Sequence, residues 1–517
     1  MRQIIVTIFL VMSSPLLSQT AGVSTEYRHD ALDTEDLERN FVRCKGFVMS
    51  TKNTGAYAAA AWVPSEKRKS YSFAWMTSET FLPFSMIGGD YNVRFGSGLL
   101  VGKGHPYNPD PFSKDSADDE METGVRPNVN GSQTSSFRGI ALSRNLMEKN
   151  LGVTLFASRA LRYYSGDNSS SSIGTLLTRS EREDRYREPV YLRSAGMMLQ
   201  SQNTYFVTQL SSYYADLLTP SGKRILWASA RDGEGYRSSS GGSLYCGYND
   251  GVIRSYGEFA VSSAVYRKNE TDSRSWGRSF QSETVVKNES FVGRIAFKNV
   301  AADYYSPFNS PMGSLTPSKA IFMDAAISPE KSVKVSADAS FERKNAITNF
   351  DPELTSPCKE GFLITVMPDR WISFSAGHRL VGYALQTFPD RQQFRGKAEV
   401  KSKADDHLGI EYIEQRGAGA LSRVIECEGG FKVFKMLSVD AQYSEIRTQK
   451  DSDVYMSPLP LDGVMVPWIA VSGRAHLASM KLSVSWKGVV LRARSLFLWS
   501  GQEILRRRIE CAAEGTW

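Results

Sequence analysis

The fold is decided by the stretch Ser479–Trp499, which reads SMKLSVSWKGVVLRARSLFLW. Its first arm carries an apolar side chain at every second position, namely Met480, Leu482, Val484 and Trp486. A tight turn is predicted at Lys487-Gly488, because glycine tolerates the positive φ that two-residue hairpins demand. Folding the arms about this turn places Trp486 opposite Val489. One face becomes mostly apolar and the other mostly polar or cationic, with three exceptions, Ser495, Leu496 and Leu498.

The same alternation recurs through most of the chain. It is cleanest in Ser332–Arg343, where valine, alanine and phenylalanine alternate with lysine, serine and acids. A soluble β-sandwich alternates in the same way with its apolar side inward, so the pattern alone does not separate the two. Propellers are a further all-β competitor, although the chain has no fixed-period repeat.

The first residues add a second observation. A short basic region, Met1-Arg2-Gln3, precedes the apolar run Ile4–Met12, and small residues follow it. This is the form of a cleaved secretory signal, which we predict over residues 1–21. The run is too short to cross a bilayer as a helix, and no later stretch approaches about 18 consecutive apolar residues. An exported chain of this kind is either soluble or a β-barrel, because a closed sheet pairs its own backbone groups in lipid.

The connections between predicted strands favour the barrel. Several are tight and polar, whereas four are long and rich in Gly, Ser, Asp and Asn: Gly102–Ser136, Gly166–Glu188, Asp232–Gly242 and Asn269–Ser282. Short turns on one rim and long loops on the other are typical of bacterial outer-membrane barrels. At about 9–11 residues per spanning strand, we expect an all-β fold with a single large antiparallel transmembrane β-barrel of roughly 18–22 strands.

Three segments are predicted along the chain. Residues 1–21 form the signal peptide, residues 22–50 a short periplasmic leader with one helix within Asp30–Phe41, and residues 51–517 the barrel. Both termini are expected in the periplasm and the long loops outside, in the outer membrane of a Gram-negative-type envelope. The aromatic terminus Trp517 is similar to the insertion signal of such barrels. It implies outer-membrane lipid and the barrel-assembly machinery as partners.

Composition argues against metal, cofactor, nucleic-acid and catalytic sites. The five cysteines are far apart and form no C-x-x-C pair, so neither a zinc site nor a disulfide framework is predicted. The acidic stretch Asp110–Glu122 lacks EF-hand spacing and is interpreted as a solvated loop. A net charge of +7 is too small and too dispersed to indicate nucleic acid. The five histidines are scattered, and the hairpin register places His476 opposite Trp499 on the lipid side, so no enzyme is predicted.

One glycine-rich stretch, Gly88–Gly104, reads GGDYNVRFGSGLLVGKG. It fails as a phosphate loop, because Ser97 stands where that motif needs glycine and Gly104 where it needs Ser or Thr. It also fails as a dinucleotide motif, because Val101 occupies the third glycine position. We interpret these glycines as a bend or bulge in a strand.

Between residues 89 and 141 the chain carries five short motifs in order: Gly89-Asp90-Tyr91, Phe95-Gly96, Gly98-Leu99-Leu100, Gly124-Val125-Arg126-Pro127 and Phe137-Arg138-Gly139-Ile140-Ala141. In this order they resemble a family of bacterial outer-membrane β-barrels, some of which carry helix-hairpin-helix repeats ahead of the barrel. Tyr455–Gly473 is similar to that family's penultimate region. The resemblance implies a barrel but supplies no substrate and no catalytic residues. Helix-hairpin-helix repeats are not identified here.

We expect a pore or transporter for small solutes, because a barrel this large leaves room for water or a plug. The alternatives are a surface-exposed binding protein or adhesin that uses its long loops, and a fatty-acid-type transporter of apolar molecules. Whether the interior is open, plugged or lined by apolar side chains distinguishes them. The solute is not predicted, but the predicted lumen-lining residues are Lys334, Asp338, Glu342, Lys481, Ser483, Arg492 and Arg494.

Overall fold

The computed structural model describes residues 20–32, 37–51, 54–63, 68–77, 84–102, 124–128, 137–146, 150–165, 187–218, 227–228, 235–268, 271–308, 318–344, 357–383, 391–402, 406–417, 420–434, 436–449, 453–456, 469–501 and 503–516. All regular structure in these residues is β-strand. No helix among them is long and apolar enough to cross a membrane. Most of the predicted signal peptide, the acidic stretch Asp110–Glu122 and the terminal Trp517 lie outside the described residues.

The described chain contains 28 strands. The first fourteen are β1 (Thr20–Leu32), β2 (Leu37–Thr51), β3 (Thr54–Val63), β4 (Arg68–Thr77), β5 (Ser85–Arg94), β6 (Gly124–Pro127), β7 (Phe137–Leu146), β8 (Leu151–Ser165), β9 (Arg187–Gln202), β10 (Phe206–Leu218), β11 (Trp227–Ala228), β12 (Gly235–Asn249), β13 (Ile253–Lys268) and β14 (Thr271–Lys287). The others are β15 (Phe291–Val300), β16 (Ser318–Glu330), β17 (Val333–Lys344), β18 (Pro357–Asp369), β19 (Ile372–Tyr383), β20 (Arg391–Lys401), β21 (His407–Gly417), β22 (Ala420–Phe434), β23 (Leu437–Thr448), β24 (Asp453–Met456), β25 (Ile469–Ser472), β26 (Arg474–Trp486), β27 (Val489–Ser500) and β28 (Glu503–Thr516).

The strands form one closed antiparallel ring. Each ring strand pairs with the next along the chain, and β28 pairs with β1 from Gly22↔Thr516 to Leu32↔Arg506. Apart from the short strands β6 and β11, which lie on the same sheet, the ring has 24 strands. Strands β24 and β25 form a separate two-stranded sheet. The fold is therefore a single large antiparallel β-barrel, as the sequence predicts.

The ring has more strands than the predicted range of roughly 18–22. The predicted helix within Asp30–Phe41 is wrong for the described part of this stretch. Residues 30–32 end β1 and residues 37–41 begin β2, and both strands belong to the ring rather than to a separate leader. These two strands connect β28 to β3, and without them two edges would be left without hydrogen-bonding partners. Strands β12 and β14 likewise occupy most of the predicted loops Asp232–Gly242 and Asn269–Ser282.

The hairpin that decided the fold is confirmed. Strands β26 and β27 pair Trp486 with Val489 and His476 with Trp499, in the predicted register. Lys487 has φ 45° and Gly488 has φ 83°, which are the two positive values of a type I′ turn. A two-residue turn thus sets the pairing of both arms.

The two rims of the barrel differ. The rim that carries the start of β1 and the end of β28, here called the short-turn rim, has connections such as residues 331–332, 370–371 and 487–488. The opposite long-loop rim carries the connections between β5 and β6, between β8 and β9, and between β17 and β18. This is the arrangement that outer-membrane barrels use.

Three turns of the short-turn rim share one chemistry. The side-chain oxygens of Asn203, Asp250 and Asn288 each accept hydrogen bonds from the backbone N–H groups two and three residues ahead. Such Asx turns fix a tight reversal without a helix. The N–H of Ile253 and the hydroxyl of Tyr248 lower the pKa of Asp250, because both donate to its carboxylate.

The outer face of the ring is apolar. On β13, Phe259 and Val261 are 47% and 40% exposed, whereas the alternating Glu258 and Ala260 are fully buried inside. Strand β15 repeats this order, with Ile295 outside and Lys298 inside. A closed ring with an apolar exterior and a polar interior is the form in which a sheet crosses the outer membrane.

Arginine placed at mid-height on this outer face should therefore destabilise the inserted barrel. We expect Ile295→Arg, in the middle of β15, to cost about 2–4 kcal/mol of folding free energy in lipid. The matched control is Ile253→Arg at the short-turn end of β13, where the cost should fall to about 0–1 kcal/mol. Urea titration of refolding into lipid vesicles measures both values. Equal costs at the two depths would contradict a bilayer around this surface.

Candidate functional site: two segments folded into the barrel

Two chain segments leave the wall at the long-loop ends of β5 and β15 and fold into the barrel. The first inner segment is residues 95–102 and the second is residues 301–308. Phe95, Leu99 and Leu100 are completely buried, and Tyr304 is 5% exposed. Together with wall residues of β7 to β13 they form one apolar cluster inside the barrel.

The wall beneath these segments is built from small residues. The inward positions of β12, β13 and β14 include Gly241, Ala260, Ser262 and Gly277. A Cβ atom at Gly277 would lie 2.2 Å from the backbone N of Tyr304, and one at Gly241 would lie 2.9 Å from Leu100 Cδ1. Only glycine allows the backbone of the second inner segment to approach the wall this closely.

A buried carboxylate holds the first inner segment. Glu258 Oε2 accepts hydrogen bonds from the backbone N of Ser97 at 2.8 Å, from its hydroxyl at 2.5 Å and from the N of Leu99 at 3.3 Å. Gly96 and Gly98 have positive φ values of 55° and 86°, which turn the N–H groups toward one point. The N of Gly98, between the donors of Ser97 and Leu99, bonds the carbonyl of Phe95 instead. The glycine-rich stretch therefore folds around the carboxyl group of Glu258.

Two amides complete the anchor. Gln209 Oε1 accepts a hydrogen bond from Gly96 N at 2.7 Å, and Gln281 Nε2 donates to the hydroxyl of Ser97. Gln209 is 2% exposed, and Glu258 and Gln281 are fully buried. Three strands, β10, β13 and β14, thus each contribute one inward side chain to a segment far away in sequence.

The second inner segment locks onto the first. Tyr304 donates its hydroxyl to the carbonyl of Leu99 at 2.9 Å, and Ser306 donates to that of Leu100 at 2.7 Å. The N of Gly102 in turn donates to the carbonyl of Phe308 at 3.0 Å. These contacts satisfy backbone groups that would otherwise be buried without partners.

The opposite wall is polar. On β20 to β28, inward cations face inward acids: Arg395 with Glu411 at 2.8 Å, Lys397 with Glu428 at 2.6 Å, Lys481 with Asp440 at 3.8 Å, Arg492 with Glu514 at 3.2 Å, and Arg494 with Glu510. Near the long-loop rim, Leu477, Leu496 and Leu498 form a small apolar group with Val471 of β25. This explains two exceptions in the hairpin pattern, because Leu496 and Leu498 point inward beneath β25.

The seven predicted lumen residues occupy two separate places on the ring. Lys334, Asp338 and Glu342 lie on β17, and the other four lie on β26 and β27, with β18 to β23 between them. Asp338 is 6% exposed, and Glu342 accepts from Lys298 at 3.1 Å and from Ser318 at 2.7 Å. The structure does not bring the seven into one site. Their role as pore-lining residues stays a prediction.

The sequence reasoning missed Glu258, Gln209 and Gln281. Their signal was weak, since each is one polar residue at an inward position beside small or apolar neighbours. Glu258 and Ser97 are 161 positions apart, so no local pattern joins them. The histidine assigned to the lipid side lies there: the ring of His476 stacks on Trp499 at 5.5 Å. All five cysteines are free thiols.

Removing the anchoring carboxylate should release the first inner segment. Glu258→Ala leaves buried donors of Ser97 and Leu99 unsatisfied, each costing about 1–3 kcal/mol. We expect a lower temperature for conversion of the folded band in heat-modifiability gels, and protease cleavage near residue 98. The control is Glu289→Ala in the exposed β14–β15 turn, which should behave as wild type. A Glu258→Ala protein as stable and protease-resistant as the control would contradict the anchor.

Comparison with known proteins gives similarities of fold alone. No protein-family model and no curated protein matches the chain. Among solved structures, the translocation pore of the P pilus usher PapC is 8% identical with a TM-score of 0.43, covering 96% of this chain and 99% of its own. The siderophore receptor PirA from Acinetobacter baumannii is 8% identical with a TM-score of 0.46, covering 98% and 81%. OccAB4 from the same species is 10% identical with a TM-score of 0.33, covering 71% and 97%. At these values the similarities say nothing about substrate, and the barrel class rests on ring closure and the apolar exterior.

Proposed function

We propose that the protein is an outer-membrane pore or transporter for small hydrophilic solutes, narrowed by the two inner segments. The observation that carries this proposal is the asymmetry of the interior. Segments 95–102 and 301–308 fill the side lined by β7 to β14, whereas β20 to β28 present a wall of charged side chains. Solutes would pass along the charged wall.

The chemistry of that wall supports polar solutes. Its ion pairs place both signs of charge within a few ångströms, as in Lys481 with Asp440 and Arg492 with Glu514. Such a surface exchanges hydrogen bonds with polar solutes of either sign, and it disfavours apolar ones because they would leave charged groups without water. The predicted lumen residues Lys481, Ser483, Arg492 and Arg494 belong to this wall in our proposal, whereas Lys334, Asp338 and Glu342 lie outside it on β17.

The packing of the second inner segment gives a direct test. Gly277→Ala places a methyl group where Tyr304 N would be 2.2 Å away, so the segment must move off the wall. We expect a larger single-channel conductance in planar bilayers, with more frequent fluctuations between levels. The control is Gly257→Ala on the neighbouring strand, whose Cβ would meet only Phe280 at 3.8 Å. Its conductance should equal that of wild type.

Two outcomes would contradict the proposal, the first against a pore and the second against its narrowing by the second inner segment. One is a folded wild-type barrel and a folded Gly277→Ala variant that both never conduct. The other is an equal rise in conductance for Gly277→Ala and Gly257→Ala, which would leave the second inner segment without a role in narrowing.

A second candidate, a transporter of apolar molecules, is favoured by one place in the wall. In the described residues, β5 pairs with β4 only from Met86 to Gly89, and Gly89, with φ 96°, turns β5 inward. Beyond that point Asp90 accepts from the backbone N of Phe73 at 3.0 Å, and Arg138 donates to the carbonyl of Tyr71 at 3.0 Å. Side chains therefore replace strand pairing between β4 and β5 beyond Gly89, at a place that we call the seam. The apolar cluster lies behind it.

A substitution at the seam distinguishes the two candidate functions, a pore for hydrophilic solutes and a transporter of apolar molecules. Asp90→Ala removes the acceptor that Phe73 and Arg138 share, so an apolar route through the seam should open. Faster transfer of a fluorescent long-chain fatty acid into vesicles, at unchanged ion conductance, would support the apolar transporter. The control is Asp216→Ala, which breaks a similar pair with Arg193 in fully paired wall. Fatty-acid transfer that is equal in both variants and wild type would exclude this route.

A further inference from the structure

Four arginines lie side by side on the outer face of the barrel at the long-loop ends of β21, β22, β23 and β26. The register places Arg423 opposite Arg447, and Arg447 opposite Arg474. Arg416 lies one outward position beyond Glu414, which is opposite Arg423. Their side chains are 51–69% exposed. We call this set, Arg416, Arg423, Arg447 and Arg474, the arginine row.

Two glutamates organise the row. Glu414 pairs with Arg416 at 2.6 Å and with Arg423 at 3.0 Å. Glu445 pairs with Arg447 at 2.6 Å and lies 3.6 Å from Arg474. Two carboxylates thus hold four guanidinium groups in place, and the row keeps a positive charge. Each guanidinium has five N–H donors, more than these pairs use, so donors remain for an anion from outside.

Aromatic side chains lie just below the row, toward the middle of the barrel wall. Tyr412 and Tyr443 occupy the outward positions next to Glu414 and Glu445. His476 occupies the outward position next to Arg474, and Trp499 is opposite His476 on β27. Tyr412 and Tyr443 are 39% and 42% exposed, and the hydroxyl of Tyr443 lies 2.8 Å from His476 Nδ1. Outward aromatic residues with polar tips mark the level of the lipid headgroups in a barrel.

The length of the strands agrees with this level. Strand β23 has 12 residues, which rise about 28 Å at about 3.3 Å per residue and a tilt of about 45°. The apolar band of such barrels is about 25 Å tall. Arg447, next to the last residue of β23, therefore lies beside the headgroups of the leaflet at the long-loop rim.

We propose that the arginine row is a binding site for the phosphate groups of anionic lipids in that leaflet. The planar guanidinium fork matches phosphate oxygens in a bidentate way, which a lysine ammonium does not. The row lies at headgroup level with its donors facing outward, and the aromatic side chains below contact the upper part of the acyl chains. This site is independent of what passes through the lumen.

The test compares lipid binding to the full-length barrel in detergent micelles by native mass spectrometry, with phosphatidylglycerol as the probe. The variant is Arg423→Gln, Arg447→Gln and Arg474→Gln together. The control removes the same charge at the opposite rim, with Lys331→Gln, Arg370→Gln and Lys487→Gln, all exposed in short turns. We expect the row variant to bind phosphatidylglycerol at least tenfold more weakly than wild type, and the control to bind as wild type.

Three results would overturn the proposal. They are equal phosphatidylglycerol binding by the row variant and wild type, equal loss in the row variant and the control, and displacement of the lipid by millimolar inorganic phosphate. A second variant with lysine at the same three positions keeps the charge and tests the fork. The lysine variant should lose part of the affinity for phosphatidylglycerol. If the glutamine variant does not show a heat-modifiable folded band, the lysine variant is compared with wild type in its place.

Discussion

The structure depends on one constraint: inside a bilayer, every backbone N–H and C=O must find its partner within the protein. The pairing of β28 with β1 answers it, because it removes the last two edges of the sheet. The same constraint explains why Asp90 and Arg138 lie where they do. At the point where β5 turns away from β4, their side chains bond the backbone of Phe73 and Tyr71 in place of a strand.

A ring of this many strands creates a second requirement, because it encloses a wide lumen that must be filled by protein or by water. This chain does both on opposite sides. Small residues such as Gly241 and Gly277 leave space on the inner surface of the wall, and the two inner segments pack into that space. Elsewhere, pairs such as Lys397 with Glu428 keep charged side chains at the wall. The interior is therefore divided by the size of the wall residues as much as by their polarity.

How much of this the sequence reveals depends on the range of the interaction. The β26–β27 register follows from alternation and one Lys-Gly turn, so it is predictable residue by residue. Strand β14 was missed because Thr271–Lys287 is polar on both faces over most of its length. The helix predicted within Asp30–Phe41 was wrong because this stretch joins the end of β1 to the start of β2, which pair from Leu32↔Leu37 onward. The Glu258 anchor joins residues 161 positions apart, which no local pattern can show.

The inner segments are held differently from the ring, and this difference bears on function. The ladder that closes the barrel runs between strands, whereas Ser97 and Leu99 are held by side chains of Glu258 and Gln281. Tyr304 and Ser306 likewise bond the first inner segment, and the second segment is held to the wall by side chains such as Ser262, whose hydroxyl accepts from Tyr305 N at 2.9 Å. A movement of both segments would therefore break side-chain contacts while every strand pair stays intact. The barrel wall can therefore stay folded while the two inner segments move, because the wall and the segments are stabilised by separate sets of hydrogen bonds.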